Sequence, residues 1–139
     1  KWRAGFGQDF MSRPDGYAGF ARSYGLKFAE LREMDLSLTY RALVDRQVDL
    51  IAGNSTDGLI ARHDLVQLTD DRRYFPPYDA VPVARQEALK RYPAIRAALR
   101  MLGGSISVEE MRQLNYQVDG EHRAVKDLVR EFLQKKGLL

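Results

Sequence analysis

Short apolar segments alternate with helix-like segments over the first 53 residues of this 139-residue chain. Three segments have the length and apolar character of strands, and they lie at residues 2–6, 26–31 and 48–53. In the first helix-like segment, Pro14 suits the opening turn and Gly25 the stop. Asp35 or Ser37 can cap the second helix-like segment. This order predicts an α/β unit with parallel strands and helices on the faces of the sheet.

The character of the sequence changes near Tyr78, where the alternation gives way to consecutive helices. Two more short strands are predicted before the helices, at residues 65–68 and 80–84. Helices are predicted at residues 86–91, 93–102, 107–115 and 121–136. Ser107 and Glu110 have the spacing of a capping box. The last helix carries an apolar stripe over residues 125–133, which is more typical of a core-facing helix than of a partner surface.

Composition excludes several classes of protein. The absence of Cys excludes disulfides, thiolate metal sites and a cysteine nucleophile. The net charge of +3 comes from 22 Lys and Arg against 19 Asp and Glu that are interleaved along the chain, whereas a nucleic-acid binder is expected to have a clustered basic face. We therefore expect no nucleic-acid partner. No apolar run approaches the ~20 residues that a membrane helix needs.

The sequence has no arrangement of residues that is typical of catalysis. It contains no glycine-rich phosphate loop and no Gly-x-Ser-x-Gly turn. His63 and His122 are its only histidines, and each is expected to be an ordinary surface residue. The adjacent carboxylates at 70–71 and 109–110 are predicted to lie in a turn and at a helix cap. We therefore predict a protein that is not an enzyme and that has no catalytic residue, metal or cofactor.

A run of small polar residues follows the third predicted strand. Asn54, Ser55 and Thr56 precede Asp57 and Gly58. Ligand sites of open α/β sheets form outside the carboxyl ends of strands, and these residues offer hydrogen-bond donors and acceptors for a small solute. The alternative is a turn with a helix cap, because the same residue types favour caps.

Arg13 and Tyr78 add two groups with recognition chemistry. Arg13 precedes a Pro-Asp-Gly turn and can present a bidentate fork to a carboxylate. Tyr78 follows Pro76 and Pro77 and can offer its ring face to a cation. A carboxylate clamp together with an aromatic face suits a zwitterion such as a betaine. The alternative for the Pro-Pro stretch is a rigid surface connector.

The sequence resembles the osmoprotectant-binding proteins of ABC transporters, which bind glycine betaine, choline and related quaternary amines. Six motifs carry the resemblance, occur in the same order and together span nearly the whole chain: Phe10–Tyr17, Tyr24–Leu26, Asn54–Gly58, Leu68–Asp71, Phe75–Val83 and Leu114–Asp119. The resemblance implies the type II periplasmic-binding fold, in which two lobes close on a solute. It places Arg13 at the carboxylate-binding Arg and Tyr78 in an aromatic cage around the ammonium group.

Asn54 departs from the pattern of the family. High-affinity members have an aromatic residue at this position, so the resemblance implies a cage that lacks one wall. A ring face attracts a desolvated ammonium by up to ~2 kcal/mol, and its loss is expected to weaken binding by about tenfold or more. We therefore expect a small zwitterionic or quaternary-amine solute, with glycine betaine as one of several candidates.

The resemblance also divides the chain. Family members are about twice this size, and this sequence matches their second half. Residues 1–77 are assigned to the second, C-terminal lobe, whose opening part we expect to be absent, and residues 78–139 to a helical return segment that completes the first lobe. We therefore expect either a missing N-terminal half or a self-association that replaces it.

The implied function is that of the solute-binding component of an ABC importer, which works outside the cytoplasm with a membrane permease. The alternative is an effector-sensing or interaction domain that uses the same fold in a regulator or in a permease fusion.

Overall fold

A computed structural model describes residues 1–139, which divide into two compact units. The first unit contains Lys1–Asn54 and Val66–Pro77, and the second contains Ser55–Leu65 and Tyr78–Leu139. Residues 55–65 thus belong with the helical part of the chain. The assignment of residues 1–77 and 78–139 to two lobes stays a prediction.

The first unit is built on a three-stranded sheet of β1 (Arg3–Gly7), β2 (Glu30–Met34) and β3 (Leu50–Ile51). The strand order is β2-β1-β3, and both pairs are parallel. Ala4 is paired with Leu31 on one side and with Leu50 on the other. The parallel α/β unit that the alternation of segments predicts is confirmed.

The central strand is buried along most of its length, as expected for a parallel strand covered on both faces. Ala4 and Phe6 are 0% and 1% exposed. Gly5 lies so close to its neighbours that a Cβ there would approach Met34 Cε to 2.8 Å and Val48 Cγ1 to 3.2 Å. At the strand entrance, Arg3 forms a salt bridge with Asp49, with Nη2 2.8 Å from Oδ1.

Three helices complete the first unit: α1 (Gln8–Ser12), α2 (Tyr17–Tyr24) and α3 (Leu36–Val44). Asp35 caps α3 by accepting a hydrogen bond from the Ser37 backbone N–H, and Gly25 ends α2 with φ of 65°, so both of these predictions are confirmed. The prediction that α2 opens at Pro14 is wrong, because the helix begins at Tyr17. Arg13 is extended, as the residue before a proline prefers, and the Gly16 N–H closes a turn onto the Arg13 carbonyl at 3.0 Å.

The second strand lies later in the chain than its apolar pattern suggests. It spans Glu30–Met34 instead of residues 26–31. The Leu26 N–H bonds the Ala21 carbonyl at 2.8 Å, which closes the end of α2. Phe28 packs edge-to-face on Phe6, with ring centroids 6.1 Å apart. These two apolar residues therefore serve the helix cap and the core, and strand pairing begins after them.

A cluster of half-buried aromatic rings packs around the buried Phe6 in the first unit. Its rings lie 5.0 to 6.3 Å apart in successive pairs, and they belong to Phe6, Phe10, Tyr17, Phe20, Tyr24, Phe28, Tyr74 and Phe75. Tyr74 and Phe75 come from the Val66–Pro77 segment, so that segment is packed into the same cluster as the helices.

The second unit contains five helices and no strand. They are α4 (Gly58–Arg62), α5 (Gln86–Arg91), α6 (Ala94–Leu102), α7 (Val108–Asp119) and α8 (Val125–Lys135). The capping box at the start of α7 is confirmed, with Ser107 and Glu110 exchanging both hydrogen bonds. Gly137 follows α8 with φ of 67°, as predicted for its stop. Helix α8 begins at Val125 rather than at residue 121, after His122 with φ of 57°.

The two strands predicted at residues 65–68 and 80–84 are wrong, because both stretches lack regular structure. Their apolar side chains are not covered: Val66 is 85% exposed and Val83 is 93% exposed. Pro82 also lacks the N–H that a ladder needs. These residues have no neighbouring strand against which to pack, and an apolar pattern alone does not produce a strand.

Several apolar side chains of the second unit are exposed. Leu128 is 3% exposed, whereas Val125 and Val129 on the same helix are 57% and 48% exposed. Ile95 and Leu102 on α6 are 38% and 42% exposed. The stripe over residues 125–133 is therefore only partly a core face.

No helix in the structure combines the length and the apolar character that a membrane crossing requires.

Candidate functional site

Arg13 lies in the turn between α1 and α2. Its backbone N–H bonds the Asp9 carbonyl at 3.0 Å, which caps α1. Its guanidinium makes a bidentate pair with the Asp15 carboxylate. Nε donates to Oδ1 at 2.9 Å, and Nη2 donates to Oδ2. Both side chains are nearly half exposed. The predicted fork is thus present, and in this structure it binds a carboxylate of the chain itself.

The polar run begins three residues after the end of β3. Asn54 is the last residue of this stretch in the first unit and is exposed, and Ser55 and Thr56 open the second unit and are half-buried. Asp57 is the N-cap residue of α4, but its side chain makes no capping hydrogen bond. Arg13 and Asn54 thus share the first unit, and Ser55, Thr56 and Tyr78 share the second.

Two side chains of α7 hold the backbone of this loop. Arg112 donates to the Ser55 carbonyl from Nε at 2.9 Å and from Nη2 at 2.7 Å. Asn115 donates to the Thr56 carbonyl from Nδ2 at 2.8 Å. The two donors are three residues apart on one helix, so they project from the same face. Consecutive carbonyls of the loop are therefore both satisfied by α7.

Gly58 sets the distance between α4 and α7. It is buried, and a Cβ at this position would lie 2.5 Å from the Tyr116 backbone N and 2.6 Å from its Cα. These are backbone atoms that cannot rotate away. A residue without a side chain is therefore required where the polar loop enters α4.

Tyr78 is 65% exposed and follows Pro77 directly. The residues that precede the two prolines are firmly held within the first unit. Tyr74 donates from its hydroxyl to the Gly16 carbonyl at 3.1 Å, and the Phe75 ring stacks on Phe20 at 5.7 Å. The aromatic residues around Pro76 and Pro77 thus divide into a packed pair and an exposed ring.

The Asp70 carboxylate anchors this packed pair. Its Oδ1 accepts hydrogen bonds from the Tyr24 phenol and, at 3.0 Å, from the Tyr74 N–H, while its Oδ2 accepts from the Phe75 N–H at 2.9 Å. These donors, the phenol first, hold the pKa of Asp70 below its usual value. Burial, followed by the bond to Asp70, raises the pKa of Tyr24.

Sequence reasoning missed Asp70, Arg112 and Asn115. It placed the carboxylates at residues 70–71 in a turn and assigned them no role, although Asp70 bonds backbone groups four and five residues later. Asp favours hydrogen bonds to nearby backbone groups in turns, and this preference is a signal that the sequence offers. Arg112 and Asn115 act on residues more than fifty positions away, at separations of 57 and 59, and no local pattern indicates such contacts.

The structure brings together no group of three or more His, Cys, Asp or Glu residues that could hold a metal ion. His63 is the C-cap residue of α4, and His122 precedes α8.

Comparison with protein families gives a match over residues 1–135 to the model of the substrate binding domain of the ABC-type glycine betaine transport system. The carnitine transport binding protein OpuCC of Listeria monocytogenes serotype 1/2a (strain 10403S) is 41% identical over 133 residues, which are 95% of this chain and 43% of that protein.

Two further comparisons agree with this match. The ergothioneine transport permease/ergothioneine binding protein EgtU of Helicobacter pylori (strain G27) is 35% identical over 130 residues, which are 94% of this chain and 24% of that protein. A crystal structure of a glycine betaine/carnitine/choline ABC transporter superimposes with a TM-score of 0.86 at 40% identity, covering 99% of this chain and 51% of the other. The chain thus spans about half or less of the proteins it matches. The expected α/β binding-protein fold is confirmed.

Proposed function

Because the chain belongs to the family of substrate binding domains of ABC-type glycine betaine transport systems, we propose that it is part of the solute-binding component of an ABC importer for osmoprotectants. The solute is a small quaternary amine or zwitterion. The family match over residues 1–135 carries this proposal. Capture is non-covalent and occurs in a cleft that closes on the solute, so the protein has no need of catalytic chemistry.

Arg13 is the proposed partner of the solute carboxylate. A guanidinium has five N–H donors in a fixed fork, and the pairing with Asp15 uses Nε and Nη2. A guanidinium can therefore be oriented by one carboxylate and still donate to a second. Asp15 is the proposed orienting partner of Arg13, and both side chains are accessible to a solute.

Tyr78 and the polar loop provide the rest of the proposed site. The exposed ring of Tyr78 offers its face to the ammonium group, an attraction of up to ~2 kcal/mol when the cation is desolvated. Asn54, Ser55 and Thr56 contribute an amide and two hydroxyl groups for the polar parts of the solute. Because Asn54 supplies an amide where the resemblance places a ring, affinity for a simple quaternary ammonium is expected to be modest.

The proposed partners follow from the same function. A solute-binding component delivers its solute to an ABC permease, and it does so outside the cytoplasm. The relatives extend well beyond the part that this chain matches, which supports the proposal that a further half, or a second copy replacing it, completes the cleft.

Substitution of the two proposed solute contacts tests the site. In the natural protein that contains these residues, Arg13→Ala is expected to weaken binding of glycine betaine by about tenfold or more, since a charge-assisted pair is lost. The same change should leave choline, which has no carboxylate, nearly unaffected. Tyr78→Ala should weaken both solutes. Calorimetric titration measures each affinity.

Tyr92→Ala is a suitable control, because Tyr92 is likewise exposed, at 52%, but lies outside the proposed site. Equal losses for betaine and choline in Arg13→Ala would show that Arg13 has a structural role instead.

The second candidate is a binding domain fused to a permease. The Helicobacter relative, whose name combines a permease with a binding protein and of which this chain matches 24%, favours it. Transmembrane helices in the same gene product would support the fusion, a helix-turn-helix would support a regulator, and a separate secreted or anchored protein would support the importer component.

A further inference from the structure

The carbonyl groups of Ser55 and Thr56 are held by one face of α7. Arg112 makes two hydrogen bonds to the first carbonyl and Asn115 makes one to the second. All four residues belong to the second unit, and their contacts are part of its internal packing. A charged donor makes the Arg112 contact stronger than a neutral hydrogen bond.

The arrangement is more than general helix packing. In an extended segment, successive carbonyls point in opposite directions, so two consecutive carbonyls on one helix face require a bent loop. Gly58, two residues beyond Thr56, has no space for a Cβ against the Tyr116 backbone. The loop is therefore held by two side-chain donors and, just after them, by a close backbone contact.

We propose that Arg112 and Asn115 are positioning residues for solute capture, acting through the backbone of Ser55 and Thr56. This inference rests on the proposed function, in which those two residues meet the solute. By binding the carbonyls, α7 fixes the loop so that the two hydroxyl groups are ordered before the solute arrives. Preordering reduces the entropy lost on binding, and affinity depends on it.

The test uses the natural protein and calorimetric titration with glycine betaine, carnitine and choline. Asn115→Ala removes one hydrogen bond to the loop and Arg112→Met removes two, and each variant is expected to weaken binding of the tightest-bound solute by about tenfold or more. Arg112→Lys retains a cationic donor and should recover most of the affinity. Gln113→Ala, an exposed position on the same helix, is the matched control and should leave affinity unchanged.

A double-substitution cycle separates positioning from a purely structural role. Thr56→Val removes the hydroxyl alone, and its effect on affinity should be much smaller in the Asn115→Ala background than in the wild type, because the loop is then already disordered. Hydrogen exchange of a peptide covering residues 54–58 should become faster in Asn115→Ala without solute. Additive losses in the cycle together with unchanged exchange would overturn the proposal.

The outcomes also separate this inference from the function on which it rests. If the wild-type protein binds none of the solutes, the proposed function fails and the positioning role fails with it. If the wild type binds and Arg112→Met and Asn115→Ala both bind within twofold of it, only the positioning role is overturned. If Asn115→Ala does not fold, the comparison of Arg112→Met with Arg112→Lys decides.

Discussion

The phenol of Tyr24 donates a hydrogen bond to Oδ1 of Asp70, across 46 positions of sequence. The backbone N–H of Arg72 in turn donates to the Tyr24 oxygen at 3.1 Å, and the Arg72 guanidinium lies 5.3 Å from the centroid of the Tyr24 ring. One phenol thus ties α2 to the segment that leads towards Pro76 and Pro77. Without the phenol, the half-buried Asp70 carboxylate would lose its principal hydrogen-bond donor.

Removal of the Tyr24 hydroxyl should therefore loosen this segment. Tyr24→Phe keeps the ring contact with Phe20, at 5.4 Å, and loses the hydrogen bond to Asp70 and the one from the Arg72 N–H. We expect a lower midpoint of thermal unfolding, because a part-buried carboxylate loses a donor. Differential scanning calorimetry measures the change. Tyr92→Phe, at an exposed ring, is the control, and a shift no larger than the control's would contradict this role of Tyr24.

The salt bridge of Arg3 and Asp49 should make stability depend on acid pH. The hydrogen bonds from Arg3 lower the pKa of Asp49 from 3.8 to about 2. A depressed folded-state pKa contributes stability that is complete above the unfolded pKa of 3.8 and is lost as the pH falls towards about 2. Because both side chains are more than a third exposed, solvent screening reduces the effect.

Denaturant unfolding from about pH 6 to about pH 2 measures this dependence. The wild type should lose stability over that window more steeply than Asp49→Asn, in which position 49 has no titrating group. Parallel curves for the two proteins would exclude Asp49 as a source of the pH dependence.

Several local features of the fold were predictable because a few neighbouring residues determine them. The Asp35 cap, the stop at Gly25 and the Ser107–Glu110 capping box are of this kind. The parallel sheet was predictable from the order of the segments. In contrast, the displacement of β2 depends on Phe28 finding the Phe6 ring, which is a tertiary contact.

Sequence reasoning named the candidate site residues but not the contacts that they make. Arg13 was expected to present a fork to a carboxylate, and its pairing with Asp15 follows from a side-chain conformation that the sequence does not specify. Likewise, α7 supports Ser55 and Thr56 through residues that are distant in sequence. Arg112 is 57 positions from Ser55, and Asn115 is 59 positions from Thr56. The roles of Arg13, Asn54, Ser55, Thr56 and Tyr78 in binding stay predictions.

Gly58→Ala should be destabilising, because the added Cβ would lie 2.5 Å from the Tyr116 backbone N. Backbone atoms must shift to accommodate it, and overpacking of this kind costs about 1–3 kcal/mol. The free energy of unfolding in urea measures the cost. Gly7→Ala is the control, since the nearest atom there is Leu36 Cδ1 at 3.4 Å, an ordinary contact. Equal stability of the two variants would show that α4 and α7 are not packed so closely.

Ser107→Ala should weaken the start of α7. The substitution removes the hydrogen bond of 3.1 Å from the Glu110 N–H to the Ser107 hydroxyl and leaves that helix N–H without its cap. The loss of an N-cap side chain costs about 1 kcal/mol of folding free energy. The same urea titration measures it, with Gln113→Ala on the exposed part of α7 for comparison. A loss below the control's would mean that the capping box contributes nothing to stability.

Isothermal titration calorimetry tests the proposal that this chain is part of a solute-binding protein for small quaternary amines or zwitterions. The natural protein should be titrated with glycine betaine, choline, carnitine and proline betaine while circular dichroism confirms that it is folded. We predict saturable binding of at least one of these solutes at a single site. A folded protein that binds none of them would show that the proposed solute class is wrong.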